Sequence, residues 1–280
     1  MTKTAREISA DIEFPGRKMD FGFDFRDLPR YWNDNDAFKT HFMNALSCLF
    51  LEGERMFIDA VRDSQHLVKD EKLLSQVKSF IKQEAIHGHE HHKFSEYLDS
   101  MGYPATKVED FERKEKKLMR KYMPAKRRLA ITCAVEHFTA ILAHQVLTNP
   151  ESTEGMDPRF KEMWTWHAIE ETEHKGVCYD VYEQTGGSYA LRVFAMFNVT
   201  WMFLLRTAIV QGIFLWKDGK LFKPSTWKSG FNFFWKKPGL IPSIWSDYKD
   251  YYRRDFHPWD HDNRELLGEW QADHNNYKTV

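Results

Sequence analysis

Two pairs of glutamate and histidine, each with the spacing Glu-x-x-His, are the residues of this sequence best suited to chemistry. The first pair is Glu84 and His87, and the second is Glu171 and His174. Residues three positions apart lie on one face of an α-helix, so each pair can direct a carboxylate and an imidazole toward the same point. Carboxylates with a minority of imidazoles suit iron or manganese, whereas structural zinc sites favour sulfur and nitrogen. One pair alone is a weak signal, because glutamate is common on solvated helix faces.

Both pairs lie on apolar helix stripes rather than opposite them. Steps of three and four residues connect the first stripe, which consists of Leu73, Val77, Phe80, Glu84, His87, His91, Phe94 and Leu98. The second stripe consists of Trp164, His167, Glu171, His174, Cys178 and Val181. An apolar stripe faces the protein core, and an unpaired buried carboxylate costs several kcal/mol. We therefore expect positive charge, most simply metal ions, between these helices.

Two further glutamates interrupt apolar stripes elsewhere in the chain. Glu54 follows Phe50 by about one helical turn, and Glu136 follows Cys133 in the same way. Glu52 competes with Glu54, but its neighbours form a mixed face, so we favour Glu54. For Glu136, burial beside an arginine is an alternative to metal binding. One glutamate from each of two helices and Glu-x-x-His from each of two others is the ligand set of di-iron carboxylate bundles.

The elements that must position these residues are helices. Apolar periodicity and terminating glycines and prolines predict four of them, over about residues 37–63, 70–101, 125–147 and 158–184. A solvated, partly helical connection is predicted over 105–124, where Lys, Arg and Glu dominate. No strand pattern is convincing. The fold class predicted is therefore all-α, a four-helix bundle with a helical, aromatic-rich C-terminal extension.

The chain is predicted to have three parts. They are a turn-rich N-terminal lead-in over residues 1–36, the metal-binding bundle over 37–189, and an apolar, aromatic helical extension over 190–280. The net charge of −1 offers no basic field for a polyanion, so no nucleic-acid partner is expected. The three cysteines are far apart and suit a reducing compartment. We expect a cytoplasmic protein.

Several residues near the two pairs have open roles. His91 and His167 each lie one turn from a pair, where a histidine can bind metal directly or orient a ligand; we favour His167 as a ligand. Glu170 and Glu173 fall off the inward stripe and are expected to be surface charges or hydrogen-bond acceptors for the ligands. The segment 256–261 can be a lid or a second metal site, but a packed aromatic segment is favoured.

A strongly apolar tract over residues 193–216 is long enough to cross a bilayer. Arg206 lies past its middle, and a charge near the bilayer centre costs about 2.5–3.5 kcal/mol, so a plain span is disfavoured. A buried helix or one that forms a homodimer is favoured. The alternative is attachment at the membrane surface, because Lys217, Lys220 and Lys223 follow the tract. Such attachment would give a lipophilic substrate a route to the bundle.

These motifs together resemble the ferritin-like di-iron superfamily over about residues 37–185, and this resemblance implies that the all-α fold is a ferritin-like four-helix bundle. The sequence resembles more closely the family described as predicted metal-dependent hydrolases, through Gly53-Glu54-Arg55, Gln83-Glu84, His87, His91, Trp166-His167, Glu170-Glu171, Glu173-His174 and the segment 256–260. His167 is also similar in spacing to the extra histidine ligand of di-iron arylamine N-oxygenases. The expected cofactor is two iron ions, with manganese as the alternative. The expected ligands are Glu54, Glu84, His87, Glu136, His167, Glu171 and His174.

The ligand types allow more than one reaction. Two ions held about 3.5–4 Å apart can reduce dioxygen or activate a hydroxide. Our favoured hypothesis is an oxidoreductase, a non-haem di-iron oxygenase or oxidase that uses dioxygen and an unidentified electron donor to oxidise a small, apolar organic substrate. The alternative is a metal-dependent hydrolase, and the second alternative is a non-catalytic iron-binding protein.

Overall fold

The computed structural model describes residues 3–19, 21, 27–236, 238–274 and 278–279. This part of the chain is almost entirely helical, which confirms the all-α prediction. Its α-helices are α1 (Ala5–Asp11), α2 (Ala37–Ser64), α3 (Glu71–Ser100), α4 (Ala105–Tyr122), α5 (Ala125–Thr148), α6 (Pro158–His174), α7 (Val177–Gln184), α8 (Tyr189–Lys217), α9 (Pro224–Trp235), α10 (Leu240–Asp250) and α11 (Arg264–Asp273). Two short strands, β1 (Arg17–Lys18) and β2 (Lys278–Thr279), pair antiparallel near the two ends of the chain.

Local signals set where the bundle helices begin. The side chains of Asp36, Asp70 and Asp157 accept hydrogen bonds from backbone N–H groups in the first turns of α2, α3 and α6. These N–H groups have no partner within the helix, so each aspartate stabilises a helix start. Pro158 occupies the first position of α6, where its missing N–H costs nothing. The predicted helix start at Ala37 is confirmed.

The helices α2, α3, α5 and the pair α6–α7 form a bundle. Helix α2 packs along α3, α5 packs along α6, and α2 also packs against α5. One apolar cluster includes Phe50 and Phe94, and a second includes Phe57 and Phe80. The glutamates and histidines singled out above lie between these clusters along the helices. A polar layer is therefore enclosed by apolar core on both sides.

The structure corrects two helix predictions. The stretch 105–124 is mostly exposed, as predicted, but it is helical almost throughout rather than in part, since α4 is continuous over Ala105–Tyr122, and it buries Glu109 and Glu112. The helix predicted over 158–184 is interrupted, because α6 ends at His174 and α7 begins at Val177. A Cβ atom at Gly176 would lie 2.5 Å from Ser9 Oγ and 3.0 Å from Trp259. Glycine at the break therefore lets the N-terminal helix and a C-terminal segment approach closely.

Two helices, α5 and α8, are long and apolar enough to cross a bilayer by length and composition alone. In α5, 67% of the most apolar window is buried, as expected for a core helix of the bundle. In α8 only 28% of the corresponding window is buried. Helix α8 packs against α2 and α5 along one side only, and its other side stays exposed. The expectation of a buried helix is therefore wrong for most of the surface of α8.

Candidate metal centre

The structure brings together all seven residues expected to bind metal. Helix α2 contributes one glutamate, α3 contributes a Glu-x-x-His pair, α5 contributes one glutamate, and α6 contributes a second pair with one further histidine. In that order they are Glu54, Glu84, His87, Glu136, Glu171, His174 and His167, and none is more than 4% exposed. Their placement on inward stripes brings side chains from four helices to one region of the core.

Their ligand atoms form two groups that share one histidine. Glu84, His87, Glu171 and His174 each offer an atom within 4.8 Å of the others, and Glu54, His87 and His167 do so as well. Glu136 is in neither group but lies next to the first one, since its Oε2 is 3.2 Å from Nδ1 of His174. Because both groups contain His87, they are adjacent, and their six residues together offer carboxylate and imidazole ligands for two neighbouring ions.

Glu171 lies at the middle of this arrangement. Its Oε1 is 3.3 Å from Nε2 of His167, 3.5 Å from Nδ1 of His87 and 3.7 Å from Nε2 of His174. Two ligand atoms that each lie about 2.1 Å from one ion are separated by about 3–4 Å at the usual coordination angles. These separations therefore match ligands around an ion better than they match hydrogen bonds.

Several of these atoms have no hydrogen-bond partner within the described part of the chain. They are both carboxylate oxygens of Glu54 and of Glu84, Nδ1 of His87, Oε1 of Glu136, Nε2 of His167, Oε2 of Glu171 and Nε2 of His174. Buried polar atoms in folded proteins are nearly always hydrogen-bonded. Here several acceptor atoms without partners lie together in a core that contains four carboxylates. Bound metal ions would satisfy these atoms and neutralise the carboxylates.

The acids are strongly affected by their surroundings. Burial raises the pKa of Glu54 well above its usual value. Burial also raises the pKa of Glu84, and the carboxylates of Glu171 and Glu136 add to this effect. In the absence of a cation, burial therefore favours the protonated forms of Glu54 and Glu84, and for Glu84 the neighbouring carboxylates act in the same direction. Metal binding at such a site releases protons.

His91 contacts protein groups through both ring nitrogens. Its Nδ1 lies 2.8 Å from Ser47 Oγ, and its Nε2 lies 3.3 Å from Nδ1 of His167 and 3.6 Å from Glu54 Oε1. Burial lowers the pKa of His91 to about 3, so the ring is neutral. Nε2 of His167 is then directed at the ligand groups. This geometry favours His91 as the residue that orients His167.

Glu170 and Glu173 are buried, so the expectation that they are surface charges is wrong. Arg17, which precedes the bundle in sequence, donates to Glu170 at 3.1 Å and to Glu173 at 2.6 Å. Glu170 also lies 3.0 Å from Nε2 of His87, which leaves Nδ1 of that ring facing the ligand groups. Although burial by itself lowers the pKa of His87, its interactions with the carboxylates of Glu170 and Glu171 raise that pKa to about 10. The alternative role of Glu170 as an acceptor near a ligand agrees with this geometry.

Sequence reasoning missed Arg17. It lies in the predicted turn-rich lead-in, and the one arginine partner that the sequence suggests is for Glu136, which instead contacts His174. The periodicity of a helix predicts which of its own residues face inward. It does not predict which side chain from another part of the chain will contact them. The competitor Glu52 is buried beside Arg55 and Arg113 and takes part in neither ligand group.

The C-terminal segment 256–261 packs against the break between α6 and α7. His257 Nε2 lies 3.0 Å from Asp180 Oδ1, and its Nδ1 accepts a hydrogen bond from the Trp259 backbone. Lys175 donates to the His261 carbonyl at 2.6 Å and to Asn263 at 2.5 Å. The favoured prediction of a packed aromatic segment is confirmed.

A cavity of about 770 Å³ extends from His167, one of the candidate ligands, to the protein surface. Phe50, Trp164 and His167 line its inner end. The rings of Phe50 and His167 are stacked, with centroids 5.4 Å apart. Lys228 and Lys236 line the cavity near the surface. A small molecule with an apolar body can therefore approach the ligand groups from the side of His167.

The fold and this site define a class: an all-α bundle with a buried Glu/His cluster that could hold metal ions. The family described as predicted metal-dependent hydrolases matches residues 15–262, and the chain belongs to this family. The predicted resemblance to that family is confirmed. Searches of curated proteins and of solved structures found no match. Ferritin-like ancestry and the likeness to arylamine N-oxygenases stay predictions.

Proposed function

We propose that this protein is a metal-dependent enzyme whose two metal ions are bound by seven residues of the bundle. These residues are Glu54, Glu84, His87, Glu136, His167, Glu171 and His174. The observation that carries this proposal is the set of buried ligand atoms without partners, which belong to two adjacent groups of ligand residues and to Glu136 beside them. The four carboxylates and three imidazoles favour iron, with manganese as the alternative.

Hydrolysis is the reaction that the family description supports. A metal pair, when bound, polarises a carbonyl or phosphoryl oxygen and lowers the pKa of water. The chain's own residues supply position and an apolar surrounding. Glu170 and His91 orient two imidazoles, and Phe50 and Trp164 hold an apolar group beside His167 and exclude bulk water. We therefore expect an ester, thioester, amide or phosphoester with an apolar substituent as substrate.

Metal analysis and anaerobic turnover test the hydrolase proposal. The purified protein is stripped of metal, reloaded with Fe²⁺, Mn²⁺ or Zn²⁺ under argon, and assayed against esters and thioesters of increasing chain length. Metal-dependent turnover without oxygen supports hydrolysis. Glu84→Gln should remove both metal and turnover, whereas the matched variant Glu52→Gln changes a buried glutamate outside the ligand groups and should retain metal. Protein that binds no metal in any of these conditions would overturn the proposal.

A second candidate function is oxidation of an organic substrate by dioxygen at two iron ions. The observation that favours it is the donor set, because the ligand groups contain carboxylates and imidazoles without a cysteine. Anaerobic loading with Fe²⁺, followed by oxygen, tests it through oxygen consumption and the visible spectrum. Oxygen uptake that depends on iron and on an electron donor supports oxidation. Turnover that is equal with and without oxygen contradicts it.

A further inference from the structure

Helix α8 presents an apolar face to solvent. The large hydrophobic side chains of this face are 45–62% exposed and are Phe194, Phe197, Trp201, Met202, Leu204, Leu205 and Ile209. Exposed apolar side chains that lie together on one helix mark an interaction surface. The question is which partner covers this face.

The arginine in α8 does not interrupt this face. Arg206 is the one charged residue between positions 193 and 216. Its guanidinium forms ion pairs with Glu112 and Glu115 of α4. Because the charge is directed at the protein and neutralised there, the exposed face carries no charge of its own. Arg206 therefore does not oppose contact with a lipid surface.

Positive charge and tryptophan follow the apolar face. Residues 207–250 contain seven lysines and three acidic residues, Asp218, Asp247 and Asp250, although the whole chain has a net charge of −1. Asp247 and Asp250 lie 3.8 Å and 3.3 Å from ring nitrogens of His261. The Asp218 carboxylate accepts a hydrogen bond from Tyr103 and lies 2.8 Å from His41 Nε2, so it is directed inward. The same stretch has four exposed tryptophans, Trp216, Trp227, Trp235 and Trp245. Lysine and tryptophan beside an apolar face are the composition of surfaces that bind anionic lipid headgroups.

The cavity opens among these same residues. Lys228, Asn232 and Phe233 of α9 line it, as do Lys236 and Leu240, while its inner end is at His167. Lys228 and Lys236 are exposed and have no acidic partner within the described ranges. The mouth also includes Asp34, Asp36 and Glu151, of which Asp34 pairs with Lys39 and Asp36 caps α2. On the α9 side the mouth carries Lys228 and Lys236 beside an apolar interior, which suits a molecule with an anionic head and an apolar tail.

We propose that α8, α9 and α10 form a docking surface for an anionic lipid bilayer, with the cavity mouth inside the area of contact. The part of this proposal that concerns substrate rests on the proposed function: an amphipathic substrate passes from the bilayer into the cavity. A second copy of the chain is a poorer partner. A twofold interface brings the same surface together from both copies, and neither α8 nor α9 contains an acidic side chain that could pair with the lysines of the other copy.

Vesicle flotation of the full-length, metal-loaded protein tests the docking surface. Vesicles of phosphatidylcholine alone are compared with vesicles that also contain phosphatidylglycerol, at low and high salt. We expect binding to the anionic vesicles that weakens with salt. Each lysine near an anionic surface adds about fivefold to affinity, so Lys228→Glu with Lys236→Glu should weaken binding by at least about 25-fold. Trp201→Ser with Leu205→Ser should remove binding.

The matched control changes the same charge elsewhere. Lys69→Glu with Lys78→Glu alters two exposed lysines, one before and one within α3, which does not contact α8 to α10 extensively. Equal losses in the two lysine pairs, or no binding of the wild type to anionic vesicles, would overturn the proposal. If the wild type does not bind vesicles but forms a dimer, and Trp201→Ser with Leu205→Ser dissociates this dimer, the exposed face of α8 belongs to a contact with a second copy. Vesicle binding without any turnover would contradict the proposed function and leave the docking surface intact.

Discussion

Replacing Arg17 with methionine tests whether the N-terminal segment supports the candidate metal centre. Arg17 is buried with Glu170 and Glu173 and donates to both carboxylates. Methionine keeps part of the apolar volume but leaves these two acids without their cation. Removing one partner of a buried ion pair costs about 3–5 kcal/mol. We expect Arg17→Met to lower the free energy of unfolding by about that amount.

The same substitution should weaken metal binding. Glu170 lies 3.0 Å from Nε2 of His87, so a carboxylate released from Arg17 no longer holds that imidazole in one orientation. Loss of a group that orients a metal ligand lowers metal affinity by about 10–100-fold. Competition with a chelator of known affinity measures this change. Arg17→Lys, which keeps the charge but not the two-pronged geometry, should recover part of both losses.

Urea denaturation with chelator present throughout separates protein stability from metal binding. The matched control is Arg6→Met, which breaks an exposed pair with Glu183 at 2.8 Å. Exposed ion pairs contribute at most about 1 kcal/mol because water and salt screen them. Equal losses in the two variants would refute the reasoning. A loss for Arg17→Met no larger than about 1 kcal/mol would do so as well, because a buried pair should cost several times more.

Three further substitutions test separate parts of the structure. His91→Phe removes the nitrogen next to His167 and should lower metal affinity about 10–100-fold in chelator competition; unchanged affinity would contradict the orienting role. Glu84→Gln should reduce the metal content of the purified protein, measured by elemental analysis, while Glu52→Gln should not. Equal metal content in both would contradict the proposed ligands. Gly176→Ala places a Cβ at 2.5–3.0 Å from neighbouring side chains and should lower the free energy of unfolding by about 1–3 kcal/mol; an unchanged thermal transition would count against this close packing.

The break between α6 and α7 shows why helix prediction failed locally. Residues from Trp164 to Val181 keep a helical spacing of apolar and ionisable side chains, so periodicity predicts one helix. The interruption at Gly176 comes with the close approach of Ser9 and Trp259, which are far away in sequence. Contacts between distant segments leave no periodic signal in the helix that they affect.

Charge composition predicted the exposure of most of α4 but not the burial of two of its glutamates. Lysine, arginine and glutamate dominate this helix, which is typical of a solvated segment. Glu109 is nonetheless buried beside His92, and Glu112 pairs with Arg206 of α8. Whether a glutamate is solvated depends on which helix packs against it, and composition does not contain that information.

The sequence by itself determined the helical class of the fold and which side of each bundle helix faces inward. Both follow from local chemistry, since a period near 3.6 residues fixes the face on which Glu54, Glu84, Glu136 and Glu171 lie. Only the tertiary structure decided which groups surround them. The contact of Arg17 with Glu170 joins two segments that are distant in sequence, and the exposure of α8 depends on which helices pack against it. Both are set by the packing of the helices, which local sequence patterns do not encode.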